Sequence, residues 1–184
     1  MILPIVQYGH PVLRRRCRPV GEVDSRIERL AADMLETMAD AQGVGLAAPQ
    51  VGEELRLAVI DVSHDPDCVS LLKVNGEDAR LADIMPLVFI NPEIEYGDAK
   101  ESAVEGCLSI RDLRADVRRP AVVRVSLTLL DGSVVEIETD GLLARALQHE
   151  IDHLNGVLFT DRLSAVAKVS VKNRLKRLAA EAGV

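Results

Sequence analysis

The chain has 184 residues, the size of one ordinary domain, and is 48% hydrophobic and 28% charged but only 2% aromatic, so its core must be mainly aliphatic. A formal net charge of −7 argues against wholesale nucleic-acid binding, which needs a basic surface or stripe, and no specific nucleic-acid partner is expected. No apolar run approaches the about 18 residues of a membrane span, and the opening MILPIVQYGHPVLRRRCRPV puts its apolar stretch before its arginines, the reverse of a secretion signal; a cytoplasmic protein with no membrane partner is expected.

In chain order, Ser25 and Glu28 form an S-x-x-E capping box ahead of Ile27, Leu30, Ala31, Met34, Leu35 and Met38 at helical spacing, which predicts a helix ending near Gly43. The segment GVGLAAPQVG, Gly43 to Gly52, has too many glycines and a proline for regular structure and reads as a loop. Leu55 to Val62 is a predicted strand. Residues 63 to 85, with HDPD and NGED turn chemistry, read as a surface excursion, and Leu87 to Asn91 as a short strand closed by Pro92. Val123, Val125, Leu127 and Leu129 alternate with Arg124, Ser126 and Thr128; Asp131-Gly132 then turns the chain into Val135, Ile137 and Thr139, predicting a hairpin with one packed and one wet face. GLLARALQHEIDHLNG places Leu143, Leu147, Ile151 and Leu154 on one stripe and stops at Asn155-Gly156, a buried helix of about four turns. A last helix begins at a Ser164 cap. No repeat, low-complexity tract or linker interrupts the chain, so one domain over residues 1–184 is expected.

The strongest local signal is His149-Glu150-Ile151-Asp152-His153, an H-E-x-x-H pattern on a predicted helix. Residues four apart lie one above the other, so both imidazoles can reach one ion while Glu150 projects beside them as a base. A solvated face carrying two ordinary histidines is the blander reading, and Leu147 and Leu154 beside the motif favour a buried helix instead. A catalytic site normally has three protein ligands and one open position. The metzincin continuation needs a third histidine, absent from HLNGVLF, and a thermolysin-like site needs a following glutamate, whereas the next one is Glu181. Upstream, Cys107 sits in EGCLS, where Gly106 permits close backbone approach and a thiolate can complete a Cys-His-His site. Cys17, Cys68 and Cys107 show no framework spacing and are expected to be reduced.

GVGLAAPQ (Gly43 to Gln50), EGCLS (Glu105 to Ser109) and QHEIDH (Gln148 to His153), in that order, resemble the three signature motifs of bacterial-type peptide deformylases; GHPVLR (Gly9 to Arg14) and INPEI (Ile90 to Ile94) extend the similarity over most of the chain. The resemblance implies an α+β fold with small antiparallel sheets packed around a central helix that carries H-E-x-x-H, and a C-terminal helix. It implies a hydrolase that removes the formyl group from the formylmethionine of new proteins, giving formate and a free amino-terminal methionine. Residue by residue, it implies that Cys107, His149 and His153 hold one divalent ion, ferrous iron in the cell, with zinc, nickel or cobalt able to replace it. The implied catalytic set is Glu150 as acid and base, the Gln50 amide and the Leu108 backbone N–H as donors to the carbonyl oxygen, and Gly45; Glu105 supports the site without ligating.

The expected partner is the nascent formylated peptide, extended between main chain near Val44 and Gly45 and the Glu105 segment, in the manner of an added strand. Taken alone, Gly43 and Gly45 read simply as turn residues. The methionine pocket implied by the resemblance draws on Ala103, Leu142, Arg145, Ala146 and His149, with the Arg145 stem lining it and its charge reaching outward. Lys168, Lys172, Arg174, Lys176 and Arg177 crowd the last helix: a solvated basic face, or, by resemblance, a ribosome anchor. Two features depart from the family pattern, Arg111 where proline is common and the length of the 63–85 excursion. The rival expectations are a metallopeptidase cutting internal amide bonds and a deformylase-like protein with altered or absent catalysis, its metal only bracing the fold.

Overall fold

The computed structural model describes residues 1–65 and 68–182. Its elements are α1 (Ser25–Asp40), β1 (Gly45–Ala47), β2 (Leu57–Ile60), β3 (Leu72–Val74), β4 (Glu77–Asp78), α2 (Leu81–Ile84), β5 (Leu87–Tyr96), β6 (Lys100–Cys107), β7 (Ile110–Pro120), β8 (Val123–Thr128), β9 (Val134–Thr139), α3 (Gly141–Leu154) and α4 (Ala165–Glu181). One antiparallel sheet runs β1-β2-β5-β8-β9-β3-β4, and β6 with β7 makes a second, two-stranded one. The α+β class expected from the motifs is therefore observed. No described helix is long and apolar enough to cross a membrane.

The continuous apolar run of β2 has a simple cause: the strand is buried on both faces. Ala58 and Ile60 meet Leu143, Leu147 and Ile151 of α3, while Leu57 and Val59 meet Ile27, Met34 and Met38 of α1. Each large aliphatic side chain buried this way contributes about 1.5–3 kcal/mol. A third cluster, with Leu13, Ile110, Val117 and Phe159, packs β7 against the end of the chain and takes Leu178 from α4.

Several expectations change. The cap of α1 is Asp24, whose carboxylate accepts from the N–H groups of Arg26 and Ile27 at 3.0 and 2.9 Å; Ser25 is the first helical residue. The predicted loop at Gly43–Gly52 contains β1, paired with β2 from Gly45↔Ile60 to Ala47↔Ala58, and a 3-10 turn at Ala48–Val51. The excursion is not all surface: β3 pairs with β9 and buries Leu72, and Asp140 accepts from the N–H groups of Ser70 and Leu71. Pro66 and Asp67 of its HDPD turn lie outside the described residues. Pro92 does not close β5, because a bulge between Ile90 and Glu93 takes the proline out of the ladder. The sequence pattern gives no sign of the hairpin of β6 and β7, whereas β8 and β9 pair as the alternation predicts.

Replacing the true cap, Asp24→Ala, should lower stability by about 1 kcal/mol, and Ser25→Ala by much less. Urea denaturation monitored by circular dichroism reads both; equal losses would return the capping role to Ser25.

Candidate metal centre

From Leu143 to Leu154, α3 is buried throughout. Its leucine stripe packs on the large sheet, which leaves Arg145, Gln148, His149, Glu150, Asp152 and His153 as buried polar residues on other faces. Such groups are costly unless they find partners. Gln148 donates to the carbonyls of Pro120 and Ala144, both at 3.0 Å, and Asp152 accepts from Arg119 at 2.8 Å and Arg162 at 2.6 Å. Among the described residues, two buried side-chain atoms have no partner, Glu150 Oε2 and His153 Nδ1. Both belong to the H-E-x-x-H turn.

Cys107 ends β6 and faces this helix. Its Sγ lies 3.3 Å from His153 Nε2, and one ligand atom from each of Cys107, His149 and His153 falls within 4.8 Å of the others. A tetrahedral ion with metal–sulfur and metal–nitrogen bonds of about 2.3 and 2.0–2.1 Å sets its ligands about 3.4–3.6 Å apart, so the three side chains fit one ion after small adjustments. The charges fit as well. Burial holds His153 well below its ordinary pKa, helped by the positive His149, Arg119 and Arg14, and so keeps it neutral as a ligand must be. Burial opposes charge on His149, yet Cys107, Glu105 and Glu150 carry its pKa well upward.

Glu105 orients the helix side of the centre. Its carboxylate accepts from Arg119 Nε at 2.6 Å and Nη2 at 3.0 Å and from Arg145 Nη1 at 2.8 Å, and its Oε2 meets His149 Nδ1 at 3.0 Å. A carboxylate on one imidazole nitrogen fixes the ring so that the other faces the metal position. Burial alone would raise the Glu105 pKa, but the bonds from His149 and Arg119 outweigh it and depress the value to about 2. Arg145 departs from expectation. Its charge turns inward, to Glu105 and to the carbonyls of Val117 at 2.9 Å and Glu101 at 3.4 Å, because a guanidinium 7% exposed needs buried acceptors.

Gln50 is oriented by both ends of its amide. Its oxygen accepts from Ala47 N–H at 2.8 Å, leaving Nε2 to donate to Ser109 Oγ at 3.2 Å and approach Cys107 Sγ at 3.6 Å. Burial lifts the Glu150 carboxyl to about 7. Gly45 makes room for it: a Cβ there would overlap Glu150 Oε1.

These residues open on a cavity of about 710 Å³ lined by Val44, Gly45, Gln50, Leu108, Leu142 and Ala146, together with Glu105, Cys107, Arg145, His149 and Glu150. Its walls include β1 and β6, which among the described residues pair with β2 alone and β7 alone, so each presents a free strand edge. Ala103, expected in the methionine pocket, is not among the lining residues; it lies opposite Val117 in the hairpin, and Val104 lines the cavity instead. Sequence reasoning missed Arg119, Asp152 and Arg162, which brace Glu105 and α3. Asp152 stands inside the motif at a position with no assigned role, and the arginines give no local signal.

The family model for polypeptide deformylase matches residues 2–169. A peptide deformylase of Methylacidiphilum infernorum is 48% identical over 97% of this chain and 93% of its own length, and one of Mesorhizobium japonicum is 46% identical over 97% and 93%. Among solved structures, a peptide deformylase from Legionella pneumophila superposes with a TM-score of 0.79 at 37% identity, covering 96% of this chain and 95% of that one. The peptide deformylase from Thermus thermophilus gives 0.80 at 39% identity, covering 98% and 99%.

With its folded pKa near 2 and an ordinary value of 4.5, Glu105 contributes stability that is complete above pH 4.5 and is lost as pH falls toward 2, about 3 kcal/mol in all. Acid titration of stability should show that loss in the parent protein. Glu105→Gln should be weaker at pH 7 yet lose less across the same window; parallel curves would contradict the assignment.

Proposed function

Because the chain belongs to the polypeptide deformylase family, and so removes the formyl group from the formylmethionine of newly made proteins, we propose that Cys107, His149 and His153 hold the single metal ion of that reaction. One observation carries this reading: thiolate and imidazole ligand atoms within 4.8 Å of one another, beside a buried Glu150 oxygen without a partner. Ferrous iron is the ion we propose for the cell, with zinc, nickel or cobalt able to fill the same donor set. Family membership removes the metallopeptidase alternative.

Held by Cys107, His149 and His153, a divalent ion would supply an acidified water and a Lewis acid for the formyl carbonyl. Glu150 takes the proton of the attacking water on its carboxylate and passes it to the departing amine; a pKa near 7 suits a group that must both accept and release a proton near neutrality. Water adds to the formyl carbon, the carbon–nitrogen bond breaks, and formate leaves a free methionine amine. Gln50 Nε2 and the Leu108 backbone N–H would donate to the oxygen where negative charge develops, and pre-placed donors of this kind are worth about 2.7–4 kcal/mol each. The nascent chain lies extended between the free edges at Val44–Gly45 and the Glu105 segment. Its methionine side chain enters among Leu142, Ala146 and His149 beside the Arg145 stem, whose charge Glu105 and Glu101 neutralise.

The work belongs to protein biosynthesis in the cytoplasm, and the ribosome is a fitting partner for α4. That helix turns Lys168, Lys172 and Lys176 to solvent while Val171, Leu175 and Leu178 pack on the third cluster. Substitution is therefore a cleaner test than deletion. Lys168→Glu, Lys172→Glu and Lys176→Glu together should weaken co-sedimentation with ribosomes at low salt, and unchanged sedimentation would retire this partner.

Glu150→Gln should cut formate release from formyl-Met-Ala by at least about 100-fold while metal content stays at the parent level. Undiminished turnover in a metal-loaded, folded variant would remove Glu150 from the chemistry.

A further inference from the structure

The cavity mouth carries charge that the reaction does not use. At the start of β7 the register breaks: Cys107 lies opposite Ile110, but Gly106 lies opposite Arg114, so Arg111, Asp112 and Leu113 are extra residues in the pairing. Asp112 takes the left-handed conformation there, with φ of +55°, and Leu113 drops into the third cluster. Arg111 and Arg114 both line the cavity and both are exposed. Arg114 lies over Gly106: a Cβ built on that glycine would sit 3.5 Å from Arg114 Cγ and 3.8 Å from its Nε, beside the metal-ligand cysteine.

Of the charged residues lining the cavity, Glu105, Arg145 and His149 are bonded to one another and Glu150 lies at the base. Arg111, Arg114 and Asp112 remain. Asp112 has a cationic partner outside the cavity, Arg174 of α4 at 3.3 Å. Neither Arg111 nor Arg114 forms an ion pair with a carboxylate among the described residues. The facing wall, Ala41 to Val44, carries no charge at all.

We propose that Arg111 and Arg114 make this enzyme favour nascent chains with an acidic side chain in the first few residues after methionine. The inference rests on the deformylase reading, since it takes a formylmethionine peptide to lie between the edges of β1 and β6. Side chains alternate along such a peptide, so one of the residues that follow methionine points to the β7 wall. The net charge of −7 repels an acidic peptide at long range, but at physiological salt that field is screened beyond about 8 Å, and contacts at the mouth decide. An exposed ion pair changes an equilibrium by about 1.4- to 5-fold, so two arginines acting on opposite peptide charges give a preference of about tenfold.

The test compares kcat/KM for formate release from formyl-Met-Ala-Asp-amide and formyl-Met-Ala-Lys-amide; the amide removes the terminal carboxylate that would otherwise bind the same arginines. The parent protein should favour the aspartyl peptide about tenfold in about 0.1 M salt, and the ratio should shrink at about 1 M. Arg111→Ala with Arg114→Ala should bring the ratio near one, and Arg111→Glu alone, on an exposed bulge, should reduce it severalfold. Equal rates for the two peptides in the parent, or a ratio unmoved by Arg111→Glu, would overturn the preference while leaving the deformylase reading intact. No formate from either peptide would overturn both.

Discussion

Glu105 ties the β6–β7 hairpin to α3 through Arg145 at 2.8 Å and His149 at 3.0 Å, and is itself held by Arg119 of the same hairpin at 2.6 and 3.0 Å. The geometry of the centre depends on that carboxylate, because Cys107 rides on the hairpin and His149 and His153 ride on the helix. Arg119 also reaches Asp152, one residue before His153, and Arg162 covers the same aspartate from the turn that follows α3. These charged contacts join the hairpin to the helix. Buried pairs of this kind add little net stability over an apolar core, but breaking one strands its partner at a cost of about 3–5 kcal/mol. The cluster therefore holds one geometry and penalises others, which is what a ligand set drawn from distant segments requires.

The same economy of space governs the reacting end. Gly45 has no side chain because Glu150 occupies the place one would take, and a 3-10 turn at Ala48–Val51 returns Gln50 toward the cysteine. The motif that reads as a glycine-rich loop is a short edge strand, shaped on one side by pairing with β2 and on the other by a carboxylate. In the proposed mechanism, chemistry and strand addition use the same backbone.

How much of this is legible in the sequence follows from the range over which each signal acts. The periodicity of α3 and the i, i+4 spacing of His149 and His153 are local, and the β8–β9 alternation shows its buried face as valine and leucine. In β6 and β7 two of the buried residues are Glu105 and Arg119, which neutralise each other across 14 residues, so the strands look like polar surface until they are paired. Arg145 defeats sequence reasoning for a similar reason: its acceptor lies 40 residues upstream. Asp24 and Ser25 are adjacent, each able to cap, and only backbone geometry chooses between them.

The convergence of one thiolate with two imidazoles on a single ion is the claim from which the site's chemistry follows. X-ray absorption at the metal edge, on anaerobically purified protein, reads it directly. The expected result is one ion per chain with one sulfur at about 2.3 Å and two imidazole nitrogens at about 2.0–2.1 Å, the sulfur disappearing in Cys107→Ser. A coordination shell without sulfur, or one that Cys107→Ser leaves unchanged, would contradict it.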